Sequence, residues 1–251
     1  MTEHEQEKQT IIELKNGPFR AQVDVVGGWL TQFSFKETDI ILPRPEVGNE
    51  KERKRAGIPV LGPIAGPVKD TAWAHLYPRQ PQHGTRRVST FSVSELDQAH
   101  VVLQHTDGPK DFLGAWLIKA EMVLINSGLR IAEIITNLEA KPRERAVAFH
   151  PYFNAQKGMA NFRPETLDSA PPLDESRFLP AIDQFTYQIN TGIEVAVNFT
   201  PTPFQIVDWR ASDKYRCLEP WWAKIGTGTI FGPLETKLFA LEIKVGEEAK
   251  N

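Results

Sequence analysis

The chain has 251 residues, 41% of them hydrophobic and 24% charged, close to globular averages, which excludes a disordered or fibrous protein. Its 29 basic and 32 acidic residues leave a formal charge of −3 without a dominant basic block, so neither a general nucleic-acid binder nor a membrane-surface protein is expected. Cys217 is the single cysteine, which excludes an internal disulfide and a multi-cysteine zinc site.

The opening MTEHEQEKQT is polar and acidic, with no apolar run of the signal-peptide kind. No stretch reaches the roughly 18–20 apolar residues that a membrane helix needs. A cytoplasmic globular protein is expected. Residues 1–10 read as a flexible tail, 11–246 as one domain, and 247–251 as a loose end.

Between the ends the periodicity is two. Residues 19–25 alternate strictly between apolar and polar, the pattern of a strand with one buried face. Residues 29–35 follow in the same style. The charge run 50–55 alternates in sign and reads as a solvated loop or short helix. Further short strands are expected at 88–93 and 101–105. Residues 122–125 and 129–137 flank Asn126-Ser127-Gly128 and read as a hairpin. Residues 193–199, 204–209 and 239–245 complete the set. With 19 prolines and 17 glycines between them and no convincing amphipathic helix, the fold class is all-β: stacked, mostly antiparallel sheets.

Reactive side chains gather in four islands rich in turn residues and aromatics. Gly57 to Pro67 is too apolar and too bent for a surface loop; it is either a buried connection between sheets or the floor of a pocket. In Pro81-Gln82-His83-Gly84-Thr85-Arg86-Arg87, the glycine permits close backbone approach to a ligand and the arginines offer forked donors to oxygen-rich partners. A solvated turn is the plainer reading of that island. Arg86 and Arg87, adjacent on an expected strand, should point to opposite faces, so one of them faces any groove.

His150 follows an apolar run and precedes Pro151-Tyr152-Phe153-Asn154, so it is expected where a strand leaves its sheet. It is either a satisfied core histidine or a poised proton carrier. Glu219, between Cys217-Leu218 and Pro220-Trp221-Trp222, should be partly desolvated, which raises its pKa and strengthens it as a base. Its plainer reading is a strand-end partner for Arg216. No phosphate-binding glycine loop, nucleophile elbow or His-Glu-x-x-His motif is present in the sequence. His83, His150 and Glu219 could form a two-histidine, one-carboxylate iron site, but the close His-x-His pair of the cupin version is missing.

In this order, the islands resemble the aldose 1-epimerase (mutarotase) family of the galactose-mutarotase-like superfamily. Residues 59–66 resemble its Gly-Ile-Pro-x-x-x-Pro-x-x-Gly segment, and Tyr77 to Arg87 its His-Gly-Phe-Ala-Arg segment. His150-Pro151-Tyr152-Phe153-Asn154 matches His-Pro-Tyr-Phe-Asn outright, and Cys217-Leu218-Glu219 matches the family's Cys-Leu-Glu. Pro233-Leu234-Glu235-Thr236 resembles the lead-in to the last strand. The resemblance spans nearly the whole chain.

It implies a β-supersandwich with an open sugar-binding groove, and interconversion of the α and β anomers of an aldose or a hexose 6-phosphate without metal or organic cofactor. By position, Glu219 is the implied general base toward the C1 hydroxyl, and His150 the implied acid toward the ring oxygen. His83 is the second histidine. Arg87, Lys69 and Trp221 are the implied sugar contacts. The alternative is a non-catalytic carbohydrate-binding or regulatory protein on the same fold. The expected partner is a small sugar or sugar phosphate, with no nucleic acid and no membrane, and the expected assembly is a monomer or homodimer. Thr85 stands where the family has an aromatic residue, and Val68-Lys69 where many members have arginine, so a groove wall and a sugar contact are expected to differ here.

Overall fold

The computed structural model describes residues 10–45, 54–68, 81–108 and 114–247. Lys69 and residues 50–53 of the charge run lie outside the described residues, as do residues 1–9 and 248–251. The chain opens with β1 (Ile11–Asn16), β2 (Phe19–Asp24), β3 (Trp29–Phe35) and β4 (Thr38–Ile41). Next come β5 (Val60–Leu61), β6 (Ser92–Leu96), β7 (His100–Asp107), β8 (Trp116–Ile125) and β9 (Gly128–Asn137). The middle holds β10 (Arg143–Arg145), β11 (Ala148–Phe149), β12 (Tyr152–Asn154), β13 (Met159–Arg163) and β14 (Ser176–Pro180). The chain closes with β15 (Gln184–Ile189), β16 (Ile193–Thr200), β17 (Gln205–Trp209), β18 (Tyr215–Trp221), β19 (Thr229–Phe231) and β20 (Thr236–Glu247).

These strands form a ten-stranded and an eight-stranded sheet, with β10 and β19 as a separate pair. The eight-stranded sheet runs β13-β15-β16-β20-β9-β8-β7-β6, and the other runs β1-β2-β3-β4-β12-β18-β11-β5 with β17 and β14 added beside β18. Pairing between the strands is antiparallel, as in the β8–β9 hairpin and the β16–β20 ladder. Strand β8 shows why they form: Trp116, Ile118, Ala120, Met122 and Leu124 are buried, while the residues between them are only partly covered. Its inward row meets Phe33, Val60, Phe149 and Leu218 of the other sheet in one core. The all-β, stacked-sheet expectation is met. No helix among the described residues is long and apolar enough to cross a membrane.

The structure corrects one strand and adds several, β14 among them. Instead of a strand at 88–93, Arg86–Val88 is a short 3-10 turn and β6 begins at Ser92. The cause is Arg86, whose guanidinium turns inward to Glu133 of β9 and to the carbonyls of Gly27 and Gly28. Strand β14 was not expected. It pairs only with β17, carries mostly exposed or half-exposed side chains and ends in Pro180, which marks an edge strand with little apolar signal.

Candidate active site

Strand β18 lies at the centre of the ten-stranded sheet, buried along its whole length. Its even face gives Leu218 to the core, so the odd residues Cys217, Glu219 and Trp221 share the other face. On one side β18 pairs with β17, setting Val207 against Glu219 and Trp209 against Cys217. On the other side it pairs with two short strands in one register: Tyr152 with Cys217, and Ala148 with Trp221. Continuing that register through the gap puts His150 opposite Glu219. The gap exists because Pro151 has no N–H to give the ladder. There the His150 N–H bonds the carbonyl of Pro59 instead, and its side chain is free to face the glutamate.

The two side chains meet. His150 Nε2 lies 3.2 Å from Glu219 Oε1, and the residues are only 7% and 3% exposed. The other carboxyl oxygen, Oε2, accepts the Trp221 indole N–H at 3.1 Å. Tyr152 stacks on the His150 ring at 4.6 Å, and Trp209 meets it edge-on at 5.8 Å.

His83 completes the constellation from a loop, its ring 5.9 Å from that of His150. The loop is held by reciprocal bonds: His83 N–H to the Gly66 carbonyl, and Gly66 N–H to His83 Nδ1 at 3.1 Å. Because Nδ1 accepts from a backbone N–H, the neutral ring carries its proton on Nε2, which faces the Gln82 side-chain amide at 3.2 Å. His83 takes the left-handed φ of 68°, and at Gly84 a Cβ would stand 2.4 Å from the Gly62 carbonyl oxygen. Glycine is therefore required there for close approach between the two loops.

These residues line a cleft of about 450 Å³ together with Lys54, Arg55, Arg87, Ser176, Phe178 and Trp209. Of the residues expected from the sequence, Glu219, His150, His83, Arg87 and Trp221 come together, and Lys69 lies outside the described residues. Arg86 does not reach the cleft; it is buried against Glu133 at 2.6 Å. Nor is Thr85 part of the lining. The sequence reading missed Arg55, Lys54, Trp209 and Phe178. Arg55 and Lys54 end the charge run that had read as solvated. Trp209 and Phe178 enter through the register of β17 and β14.

Burial dominates the electrostatics. It pushes the Glu219 carboxyl up to about 8, against the Trp221 hydrogen bond and with a smaller push from Asp208. Burial holds His150 well below the usual imidazole value, helped by His83, Arg87 and Arg55. His83 is brought down to about 3, again chiefly by burial and then by Arg87. Burial thus moves the two in opposite directions, the carboxyl up and the imidazole down. It therefore favours the uncharged form of each, with the shared proton toward Glu219.

His150, Cys217 and Glu219 are also a described trio whose ligand atoms lie within 4.8 Å of one another, so the set could hold a metal ion. Burial pushes the Cys217 thiol well above its usual value. The two-histidine, one-carboxylate alternative would need His83 as a ligand, but its Nδ1 is occupied by the Gly66 N–H.

Comparison with known proteins follows the same lines. The family model described as aldose 1-epimerase matches residues 10–193, a stretch that includes His83, Arg87 and His150 and stops before Glu219. Solved structures extend the likeness over the remainder. The Slr1438 protein of Synechocystis sp. PCC 6803 superposes with a TM-score of 0.76 at 20% identity, covering 95% of this chain and 96% of that one. A galactose mutarotase-like protein from Lactobacillus casei gives 0.74 at 17% identity, covering 94% and 100%. A galactose mutarotase related enzyme from Lactobacillus acidophilus gives 0.76 at 16%, covering 96% and 99%. At these identities the likeness shows the fold. No curated protein matches the chain.

Proposed function

The chain belongs to the aldose 1-epimerase family, and on that premise we propose that it interconverts the α and β anomers of an aldose by acid–base ring opening in this cleft. The observation that carries the reading is the buried contact of 3.2 Å between His150 Nε2 and Glu219 Oε1 on the cleft floor. Ring opening removes a proton from the C1 hydroxyl and gives one to the ring oxygen, so the number of protons on the catalyst does not change. A pair holding one proton meets that requirement. With the proton on His150 and the glutamate ionised, Glu219 takes the C1 hydroxyl proton while His150 protonates the ring oxygen.

The open aldehyde then faces a protonated Glu219 and a neutral His150, which is the distribution that burial already favours. Rotation about C1–C2 and closure on the other carbonyl face return both protons. Each positioned partner contributes about 10²–10⁴-fold. His83, neutral with its proton on Nε2, serves as a fixed hydrogen-bond donor to a sugar oxygen. Trp209 and Phe178 offer faces for the sugar's C–H surfaces.

Lys54, Arg55 and Arg87 give the cleft a cationic lining, which supports a hexose 6-phosphate as the preferred aldose. Anomer exchange measured by polarimetry or NMR across free and phosphorylated aldoses tests the reading. Acceleration over buffer that disappears in Glu219→Gln is expected. If no aldose in the panel is accelerated, the reading fails.

A further inference from the structure

Glu219 has two carboxyl oxygens in two different settings. Oε1 faces His150 and the cleft, whereas Oε2 accepts the Trp221 indole N–H. The sequence reading made Trp221 a wall for the sugar, but the indole is only 4% exposed, which leaves little of it for stacking. Its backbone is held on both sides of β18, by Ala148 and by Gln205. The ring packs among Leu61, Ile64, Ala146, Ala148 and Val207. It also lies over Gly66, where a Cβ would come within 2.9 Å of the ring. The same Gly66 donates its N–H to His83, so one bare glycine seats both the indole and the second histidine. A side chain fixed this tightly directs its one polar atom at one target.

We propose that Trp221 is a positioning residue: its N–H holds Oε2 of Glu219, so that Oε1 alone exchanges the proton with His150 and with the sugar. The inference rests on the proposed reaction for its kinetic readout but not for its titration readout. A donor aimed at a carboxylate stabilises the ionised form, and without it the carboxyl holds its proton to higher pH. It also stops the carboxyl group from turning Oε2 toward His150.

The experiment makes Trp221→Phe and, to separate the N–H from ring packing, replaces Trp221 by benzothienylalanine, which keeps the bicyclic shape with sulfur in place of N–H. The protonated carboxyl stretch of Glu219 is followed against pH by infrared difference spectroscopy, with Glu219→Gln identifying the band. In parallel, kcat and KM for the best aldose are measured across pH. Both replacements should move the Glu219 titration, and the alkaline limb of kcat, upward by about one pH unit. They should lower kcat about tenfold and leave KM within a factor of about two.

An unmoved titration in the benzothienyl protein, with kcat lost only in proportion to folded protein, overturns the proposal and leaves Trp221 as packing. If the phenylalanine variant does not fold, the benzothienyl protein decides alone. Absence of anomer exchange in the wild type would remove the proposed reaction, while the infrared titration would still decide the role of Trp221.

Discussion

Two glutamates lie buried among the described residues, and they differ in what faces them. Glu133, 1% exposed, meets Arg86 at 2.6 Å in the core between the sheets. Glu219, 3% exposed, meets His150 at 3.2 Å on the floor of the cleft. Burial raises both carboxyls first and foremost, but for Glu133 the Arg86 charge and hydrogen bond then pull it back. A guanidinium does not release its proton, so Arg86 and Glu133 form a fixed ion pair. An imidazole does, so the proton between His150 and Glu219 can move. The cation also distributes its donors differently: Arg86 ties Glu133 to the carbonyls of Gly27 and Gly28 and spans three segments of the chain. On the proposed reaction one glutamate is structural and the other chemical, and the partner's readiness to give up a proton makes the difference.

Exchanging each carboxylate for its amide breaks the comparison most sharply. Glu219→Gln keeps the shape and cannot take a proton, so anomer exchange should fall about 10²–10⁴-fold with the fold intact. Retention of a tenth of the wild-type rate would remove Glu219 from the role of base. Glu133→Gln leaves a buried guanidinium without its counter-charge, and a loss of about 3–5 kcal/mol of stability is expected in denaturant unfolding. Its kcat per folded molecule should stay close to wild type. If both variants lost activity alike with no change in stability, the division between the two glutamates would be wrong.

The two histidines sharpen the chemical side. His150→Asn should lower kcat far more than it raises KM, because its proton is delivered in the transition state. His83→Asn should change both, since His83 donates a hydrogen bond in the ground state as well. Equal, small losses in kcat for the two variants would overturn the assignment of His150 as the acid.

Acidity gives a third, smaller effect with a definite sign. The competent pair holds one proton and loses it as pH rises through about 8, so kcat should decline there. On the acid side a second proton enters only well below the ordinary imidazole range, so no decline is expected near pH 6. Stability follows from the same shift. Between its ordinary value of 4.5 and about 8, Glu219 is protonated in the folded chain and ionised in the unfolded one, so folding loses stability as pH rises through that window. Glu219→Gln lacks this dependence, and its melting temperature should gain on wild type from pH 5 to pH 8. A constant difference in Tm across that range would argue against a raised Glu219.

Much of this was legible in residue order. Period-two alternation marked β2, β3, β8, β9, β16 and β20, because each has one face on a single core. It missed β14, whose exposed edge position has no such contrast, and it placed a strand where Arg86 turns inward. Residue 150 beside proline and residue 219 beside tryptophans announced themselves through their neighbours. What composition could not convey is the register that puts His150 opposite Glu219, since it depends on two short strands flanking one long one. Arg55 is the clearest loss. Its charge run looked solvated, yet its guanidinium lies 5.2 Å from the centre of the Trp209 ring, inside the cleft lining.

Adjacent arginines carry the same comparison to its smallest expected effect. Arg86 is committed to the core, whereas Arg87 lines the cleft, partly buried, and its described hydrogen bond is a long one of 3.3 Å to the Gln82 carbonyl. It depresses both His83 and His150, which places its charge close to where the sugar must sit. A phosphate on the substrate would replace that weak carbonyl contact with a charge-assisted one of roughly 1.5–3 kcal/mol, or about 10–150-fold in affinity. Arg87→Gln should therefore raise KM for glucose 6-phosphate by a factor in that range and change KM for glucose much less. Salt should weaken the wild-type preference and leave the variant nearly unaffected, because exposed charges at the cleft mouth are screened within about 8–10 Å. The comparison is kcat/KM for the two sugars at low and high ionic strength. A preference for free glucose, indifferent to salt and to Arg87→Gln, would mean that the cationic lining orients neutral hydroxyls and that the phosphorylated substrate is the wrong one.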